Sequence, residues 1–341
     1  MKIVIDTTSP AHVSYNAGPK ARIDVERTLN RLGYEILNIK RRSFKIGFVS
    51  ILFAACECII AFRKIKKDDI VILQYPLYFY NYFLEKIVLR YLCKRSDNVT
   101  FLIHDLGFLR YQKLNKNEIS ILNMPNSLIV HTPRMKDIVA KFLYKSKISI
   151  KTLFLFDYYT EATLLSDKDL VDYKNVIAFA GNLGKSFFLK ELDSNQGELI
   201  WHLYGKEANF KIHFSESIKY NGLFQPNNPS SLIAGWGLVW DGDSLEGCTG
   251  IAGDYLKYNS PHKTSLYLSR GIPLIVWSGS ALSDFVTKNN IGISISSIHQ
   301  IENVINSISI ERYKEIINNV RLIREKIVGG YYLTETISNE Q

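Results

Sequence analysis

Residues 236–277 read WGLVWDGDSLEGCTGIAGDYLKYNSPHKTSLYLSRGIPLIVW. The apolar run Trp236-Gly-Leu-Val-Trp240 reads as a strand and the glycine-rich polar run from Asp241 to Ser260 as a loop. Pro261-His-Lys-Thr264 reads as a helix start, and Gly271-Ile-Pro273 as the turn into a second strand, Leu274-Ile-Val-Trp277. Strand, loop, helix and strand make a βαβ unit. In open α/β sheets the ligand lies where carboxyl ends of strands meet helix N-termini. Such a terminus carries unpaired N–H groups and partial positive charge, which favours phosphate. With His262 and Lys263 at that point, the stretch suits the diphosphate end of a nucleotide-sugar.

The same alternation runs outward on both sides. Toward the N-terminus, strands are expected at 2–6, 34–39, 68–74, 99–104 and 127–131, with helices at 19–32, 46–62, 81–93 and 133–143. Phe154-Leu-Phe-Asp157 marks a break, followed by an acidic irregular segment to about 172. A second set then opens with Val176-Ile-Ala-Phe-Ala180 and continues with strands at 199–204, 218–223 and 291–295, a helix in the 230s and a helical tail from 309 to 327. The expected organisation is a first domain over 1–157, a second over 158–310, and a tail over 311–341 that packs back on the first domain. Alternating strands and helices imply parallel, doubly wound sheets.

Charge divides with the domains. Residues 1–157 hold 26 Lys and Arg against 13 Asp and Glu, a net +13, whereas 158–341 hold 16 against 20, a net −4. A polyanion is the expected partner of the first half, either nucleic acid or the anionic inner leaflet of a membrane. No RNA-binding or helix-turn-helix signature accompanies the charge, which argues against nucleic acid. No Gly-x-Gly-x-x-Gly follows the first strand, which argues against a nicotinamide cofactor. Residues 46–62 are the most hydrophobic run, but the run contains Glu57 and is short for a membrane span. It reads either as a packed helix or as one lying in a membrane interface, with Lys40, Arg41, Arg42 and Lys45 before it and Arg63, Lys64, Lys66 and Lys67 after it. The four cysteines have no ligand spacing, and Cys56 and Cys58 are expected in the core. Reduced thiols and a first strand that begins at residue 2, with no signal-peptide layout, point to the cytoplasm.

Several motifs together carry a family resemblance: Ile103-His-Asp105, Phe179-Ala-Gly-Asn182, Trp236-Gly-Leu-Val-Trp-Asp-Gly-Asp243, Gly253-Asp-Tyr-Leu-Lys257, Ser260-Pro-His-Lys-Thr-Ser265 and Gly271-Ile-Pro273. The chain resembles bacterial β-1,6-galactofuranosyltransferases of O-antigen and capsule synthesis, and the related glucosyltransferases that extend glycans on streptococcal adhesins. The resemblance covers nearly the whole chain and is strongest from 236 to 330. It implies a GT-B fold, an α/β architecture of two Rossmann-like doubly wound domains facing a central cleft. It also implies a UDP-sugar in the C-terminal domain and an acceptor sugar against the N-terminal one.

Glycosyl transfer needs a base for the acceptor hydroxyl, a counter-charge for the departing diphosphate, and exclusion of water. His262, Lys263 and Thr264 are the expected diphosphate ligands, with Lys185 as a second phosphate or sugar contact. Gly181 and Asn182 would let backbone approach the donor, and Tyr204-Gly205 would stack the uracil. Asp254, Lys257 and Tyr258 would hold the sugar. Asp241-Gly-Asp243 has the look of a divalent-metal motif. The neighbouring His262-Lys263 pair supplies the same charge, so Asp241 is assigned to the donor site and no metal or other cofactor is expected. Retaining enzymes of this architecture carry a Glu-x7-Glu pair; Glu246 and Asp254 have the spacing but precede the helix, and Leu266 stands where the second Glu would fall. An inverting single displacement follows. Asp105 and His104, at a strand end, are the candidate bases, with His12 as rival; Asn16, Lys20 and Arg22 would bind acceptor hydroxyls or lipid phosphate.

The resulting expectation is transfer of galactofuranose from UDP-galactofuranose to O6 of an α-glucoside-terminated, lipid-linked saccharide at the inner membrane face. UDP-glucose is the alternative donor, a nucleic-acid-binding protein the remote alternative, and a homo-oligomer stays open.

Overall fold

A computed structural model describes residues 1–7, 19–39, 48–78, 81–144, 147–192 and 197–338, with side chains omitted at 48–50. His12, Asn16 and the basic residues 40–45 lie outside the described residues. The chain forms two compact units, Met1–Leu153 with Leu333–Gln341, and Phe154–Tyr332.

The first unit runs β1 (Lys2–Asp6), α1 (Lys20–Arg31), β2 (Glu35–Asn38), α2 (Phe48–Phe62), β3 (Ile70–Tyr75), α3 (Tyr82–Arg95), β4 (Asn98–Ile103), α4 (Gly107–Arg110), α5 (Lys116–Leu122), β5 (Ser127–Val130), α6 (Pro133–Ala140) and β6 (Ser149–Thr152). Its six strands are all parallel, in the order β2-β1-β3-β4-β5-β6. The second unit contains α7 (Asp167–Asp172), β7 (Val176–Ala180), β8 (Ile200–Tyr204), β9 (Ile218–Tyr220), β10 (Trp236–Val239), α8 (Gly250–Tyr255), α9 (His262–Ser269), β11 (Leu274–Trp277), α10 (Ser283–Lys288), β12 (Gly292–Ile295), α11 (Ile301–Ser307) and α12 (Ile310–Gly329). Its sheet is also parallel, in the order β12-β11-β10-β7-β8-β9. A last helix, α13 (Tyr331–Ser338), leaves the second unit, and from Leu333 it belongs to the first, where Lys151 Nζ donates to Thr336 O at 3.1 Å.

The inner strands of both sheets are buried on both faces, which explains why β7 and β10 are unbroken apolar runs instead of alternating ones. Each strand order reverses once, between β1 and β3 in the first sheet and between β7 and β10 in the second. These are the topological switch points, where diverging loops leave room for a ligand.

Three local readings are corrected. The 230s carry no helix, because the carbonyls a helix would need are given to side chains. Arg270 donates to Ser230 O and Leu232 O at 3.3 and 3.4 Å, and Tyr204 Oη to Ser231 O at 3.0 Å. The acidic segment before 172 contains α7, started by a capping box in which Ser166 and Asp169 satisfy each other's backbone N–H. The loop from Asp241 to Ser260 contains α8, which can lie close because residues 242, 250 and 253 are glycines. A Cβ on Gly242 would stand 2.3 Å from Thr249 O, and one on Gly253 2.4 Å from the Cys248 carbonyl carbon.

Candidate active site

In the second unit the switch point is built from α9 downward. Lys263 and Tyr267 are four residues apart, so both project from one face of this helix. Tyr267 is completely buried between β7 and β10. Its hydroxyl accepts from Ala180 N at 2.7 Å and donates to Leu238 O at 3.3 Å, and burial pushes the phenol well above its ordinary range. The strands pair only through Trp236 with Ile177 and Gly237 with Ala178. Beyond those pairs the hydroxyl stands between them as a wedge. Gly237 makes room for the ring, because a Cβ there would lie 2.3 Å from Tyr267 Cγ.

One turn earlier, Lys263 Nζ sits over the opened strand ends. It donates to Trp240 O at 3.0 Å and to Asp241 Oδ1 at 3.1 Å, and lies 4.6 Å from the centre of the Phe179 ring. An ammonium has three donors, so these contacts leave one for a ligand. Asp241 is therefore paired with the lysine, not set beside Asp243 as a metal clamp. Asp243 turns instead toward Gly250, where an added Cβ would meet its Oδ2 at 2.6 Å. His262 begins α9 with its ring 4.9 Å from that of Tyr158.

The neighbouring loops approach at backbone level. Gly205, at φ +134°, would drive a Cβ to 1.7 Å from Gly181 O, and Gly181 N donates to Tyr204 O at 3.0 Å. Only glycine allows the loops after β7 and β8 to touch this way. Asn182 Oδ1 accepts from Gly184 N at 3.1 Å and starts the short 3₁₀ turn Leu183–Lys185, which leaves Lys185 exposed.

Two expected donor residues are corrected. The Tyr204 ring is buried and its hydroxyl is anchored to Ser231 O, so it has no face for a uracil. Thr264 is wholly buried, its N–H goes to Pro261 O, and its Oγ1 has no hydrogen-bond partner among the described residues. It is a packing residue in this arrangement. Asp254 and Lys257 pair with each other at 2.5 Å on the exposed side of α8, near half-buried Tyr258. Glu246 faces His299 at 3.5 Å, so it and Asp254 serve separate partners.

In the first unit, His104 and Asp105 follow β4. His104 Nε2 is 2.8 Å from Gln74 Oε1, and Gln74 Nε2 donates in turn to Arg22 O at 3.2 Å, which aims the amide oxygen at the ring. Asp105 accepts from Arg110 at 2.7 Å and from Tyr78 Oη at 3.4 Å. Arg22 and Lys20 are corrected. Arg22 is buried against Asp6 at 2.5 Å, donates to the carbonyls of Gln74 and Pro76 at 3.2 and 2.6 Å, and lies under the Tyr78 ring. Lys20 is buried on Asp24 at 2.5 Å. The Arg22 charge ties α1 to β1 and β3, whereas that of Lys20 is paired within α1, and neither is offered to an acceptor.

Residues the sequence reading missed hold these loops. Glu118 accepts from Gly107 N and Phe108 N at 2.7 Å each, anchoring the start of α4 and so the position of Asp105 and Arg110. Glu85 accepts from Leu77 N at 2.6 Å, and burial pushes its carboxyl up to about 7. His131 Nε2 lies 3.0 Å from Ile103 O, and burial lowers its pKa to about 4, so it is a neutral link and not a base. In the sequence, Glu118 falls at the third helical position after the N-cap Asn115, which looks like a helix-start residue and hides its second task.

Comparison with known proteins decides the family. The N-terminal and C-terminal domains of the glucosyltransferase 3-like family match residues 2–153 and 177–340. The chain belongs to this family. It is 35% identical to the β-1,6-galactofuranosyltransferase WbbI of Escherichia coli K12 over 242 residues, 69% of each chain. It is 23% identical to glucosyltransferase 3 of Streptococcus gordonii over 327 residues, 92% of this chain and 90% of the relative. Among solved structures, sucrose-phosphate synthase from Thermosynechococcus elongatus superposes with TM-score 0.66 at 12% identity, over 100% of this chain and 98% of that one. Anabaena HepE, solved in complex with UDP-glucose, gives 0.61 at 10% identity over 99% and 100%. The fold is GT-B, with two Rossmann-like domains, and the protein is a glycosyltransferase.

Proposed function

We propose that this glycosyltransferase moves galactofuranose from UDP-galactofuranose to a hydroxyl, O6 in the simplest case, of an α-glucoside-terminated lipid-linked saccharide. The reaction inverts the anomeric centre, needs no metal, and serves surface-polysaccharide synthesis at the inner membrane face. The observation that carries this reading is Lys263 Nζ, held over the β7/β10 switch point by Trp240 O and Asp241 with a donor remaining. Its charge offsets the diphosphate as the glycosidic bond breaks, and the first N–H groups of α9 add to it. Asp105 accepts the acceptor proton as the new bond forms, oriented by Arg110. His104 is the second candidate for that proton. Gly181, Asn182, Lys185 and Gly205 line the donor side, and Asp254, Lys257 and Tyr258 contact the sugar.

The furanose is favoured by the 35% identity to WbbI, against 23% to the streptococcal glucosyltransferase. The longer coverage of the latter favours the second reading, UDP-glucose as donor. The test offers UDP-galactofuranose, UDP-galactose and UDP-glucose in turn with α-glucoside acceptors, with and without EDTA, and reads the product linkage by NMR. A β-linked galactofuranosyl product formed in EDTA is expected. Exclusive use of UDP-glucose would move the enzyme to the second reading, and loss of turnover in EDTA would restore Asp241 and Asp243 as metal ligands.

A further inference from the structure

None of the residues assigned above to transfer lies on the outer surface of α2 and α3. Both helices belong to rightward β-α-β connections of one parallel sheet, so they run side by side on one of its faces. Their C-terminal ends are tied together, because Arg95 donates to Arg63 O at 3.0 Å and Ile65 O at 2.6 Å. On α2, Ala54, Ala55, Cys58 and Phe62 face the core, while Leu52, Phe53, Cys56 and Ile60 face outward. Cys56 thus departs from the core position expected for it: two residues is about 200° around a helix, so it and Cys58 lie on opposite sides. On α3 the outward row is Phe83, Ile87, Arg90 and Lys94. Leu52, Phe53, Ile60, Phe83 and Ile87 are each between 40 and 60% exposed. No helix among the described residues is long and apolar enough to cross a membrane.

The charge around these five apolar side chains is positive. Arg63, Lys64, Lys66 and Lys67 follow α2 and are exposed, and Arg90 and Lys94 continue the α3 row. Of the acidic residues close in sequence, Asp69 is buried on the N-terminal amine, Glu57 is half-buried, Asp97 is paired with Lys67 at 3.4 Å, and Asp68 is exposed. Protruding apolar side chains beside a basic margin match a bilayer, whose acyl region takes the first and whose anionic headgroups take the second. A second copy placed face to face would instead set the same cations against each other.

We infer that the α2–α3 face docks this enzyme onto an anionic lipid surface, with Phe53, Ile60, Phe83 and Ile87 entering the headgroup–acyl boundary. The inference is independent of which sugar is transferred, and its test reads lipid binding instead of transfer, so the two can fail separately. Full-length protein is sedimented with phosphatidylcholine vesicles, and with vesicles containing about 30% phosphatidylglycerol, at low salt and at about 0.5 M salt. Wild type should partition at least about tenfold better onto the anionic vesicles at low salt, and lose most of that preference at high salt. Phe53→Ser with Phe83→Ser, and separately Arg90→Glu with Lys94→Glu, should each weaken partitioning about tenfold. Melting temperature and transfer to a water-soluble acceptor should be unchanged, and exposed Leu322→Ser in the second unit should behave as wild type. Wild type indifferent to anionic lipid would overturn the inference. So would a Phe53→Ser, Phe83→Ser protein that still binds vesicles fully, or one that only loses a concentration-dependent dimer.

Discussion

The two switch points have the same topology and opposite contents. At β1/β3 the opening is filled by the protein itself: Arg22 is clasped by Asp6, two carbonyls and the Tyr78 ring. At β7/β10 the space is kept open by Gly237 and the Tyr267 wedge, and Lys263 retains a donor. Asp6 is wholly buried, whereas Asp241 is 27% exposed. A cation clasped in the interior by a carboxylate and two carbonyls acts as scaffold, and one that keeps a donor at a rim can take a ligand. The chemistry of Arg and Lys fits that division. The fork of Arg suits several fixed acceptors at once, and the compact ammonium suits an incoming phosphate.

The comparison breaks first at Arg22. Arg22→Met should strand Asp6 in the interior and cost about 3–5 kcal/mol in urea denaturation; loss of transfer with stability intact would make it an acceptor ligand after all. Next comes the pH response of the buried carboxyls in the first unit. The folded pKa of Glu85 is pushed up to about 7 from 4.5, so its stabilising share is present in full below about 4.5 and lost as pH rises through 7. Half-buried Glu26, raised to about 7 by burial and by Asp6, adds in the same direction. Glu85→Gln, which keeps an acceptor for Leu77 N, should remove a slope worth about 3 kcal/mol between those limits, read by hydrogen exchange at β3 and β4.

Lys263→Ala should lower kcat by about 100-fold, roughly 2.7 kcal/mol of transition-state stabilisation, with little change in melting temperature. A near-normal rate would remove the distinction between the two cations. Asp105→Asn should abolish transfer while sparing UDP protection against melting; retained transfer would shift the base to His104 or His12. The smallest effect is expected at Thr264→Val, which replaces a hydroxyl lacking a hydrogen-bond partner by a methyl and should be neutral or stabilising by about 1 kcal/mol, with turnover kept. A collapse in turnover there would show that the hydroxyl meets the donor.

Much of the fold was legible because its strands are apolar runs separated by helical periods. The placement of Lys263 was legible for a local reason, since it stands in the first turn of a helix after a βα loop. Tyr267 was missed although it stands four residues from Lys263, because a buried tyrosine on a helix resembles any core aromatic until its hydroxyl is seen between two strands. Lys20 and Arg22 were misread for the opposite reason. A basic residue in a helix start looks solvent-bound unless its partner, Asp6 in the case of Arg22, is known to lie at the end of a neighbouring strand.

Periodicity and turn residues in the chain alone determined two parallel α/β sets, the break near 154, and the start of α9 at His262 and Lys263, since all of these are local patterns. Contacts between residues far apart in sequence decided the rest: which strands diverge, which cations are consumed by carboxylates, and that the 230s stay irregular because Arg270 takes their carbonyls. Hydrogen-bond partners at such separations have no local signature, so only the folded chain could assign them.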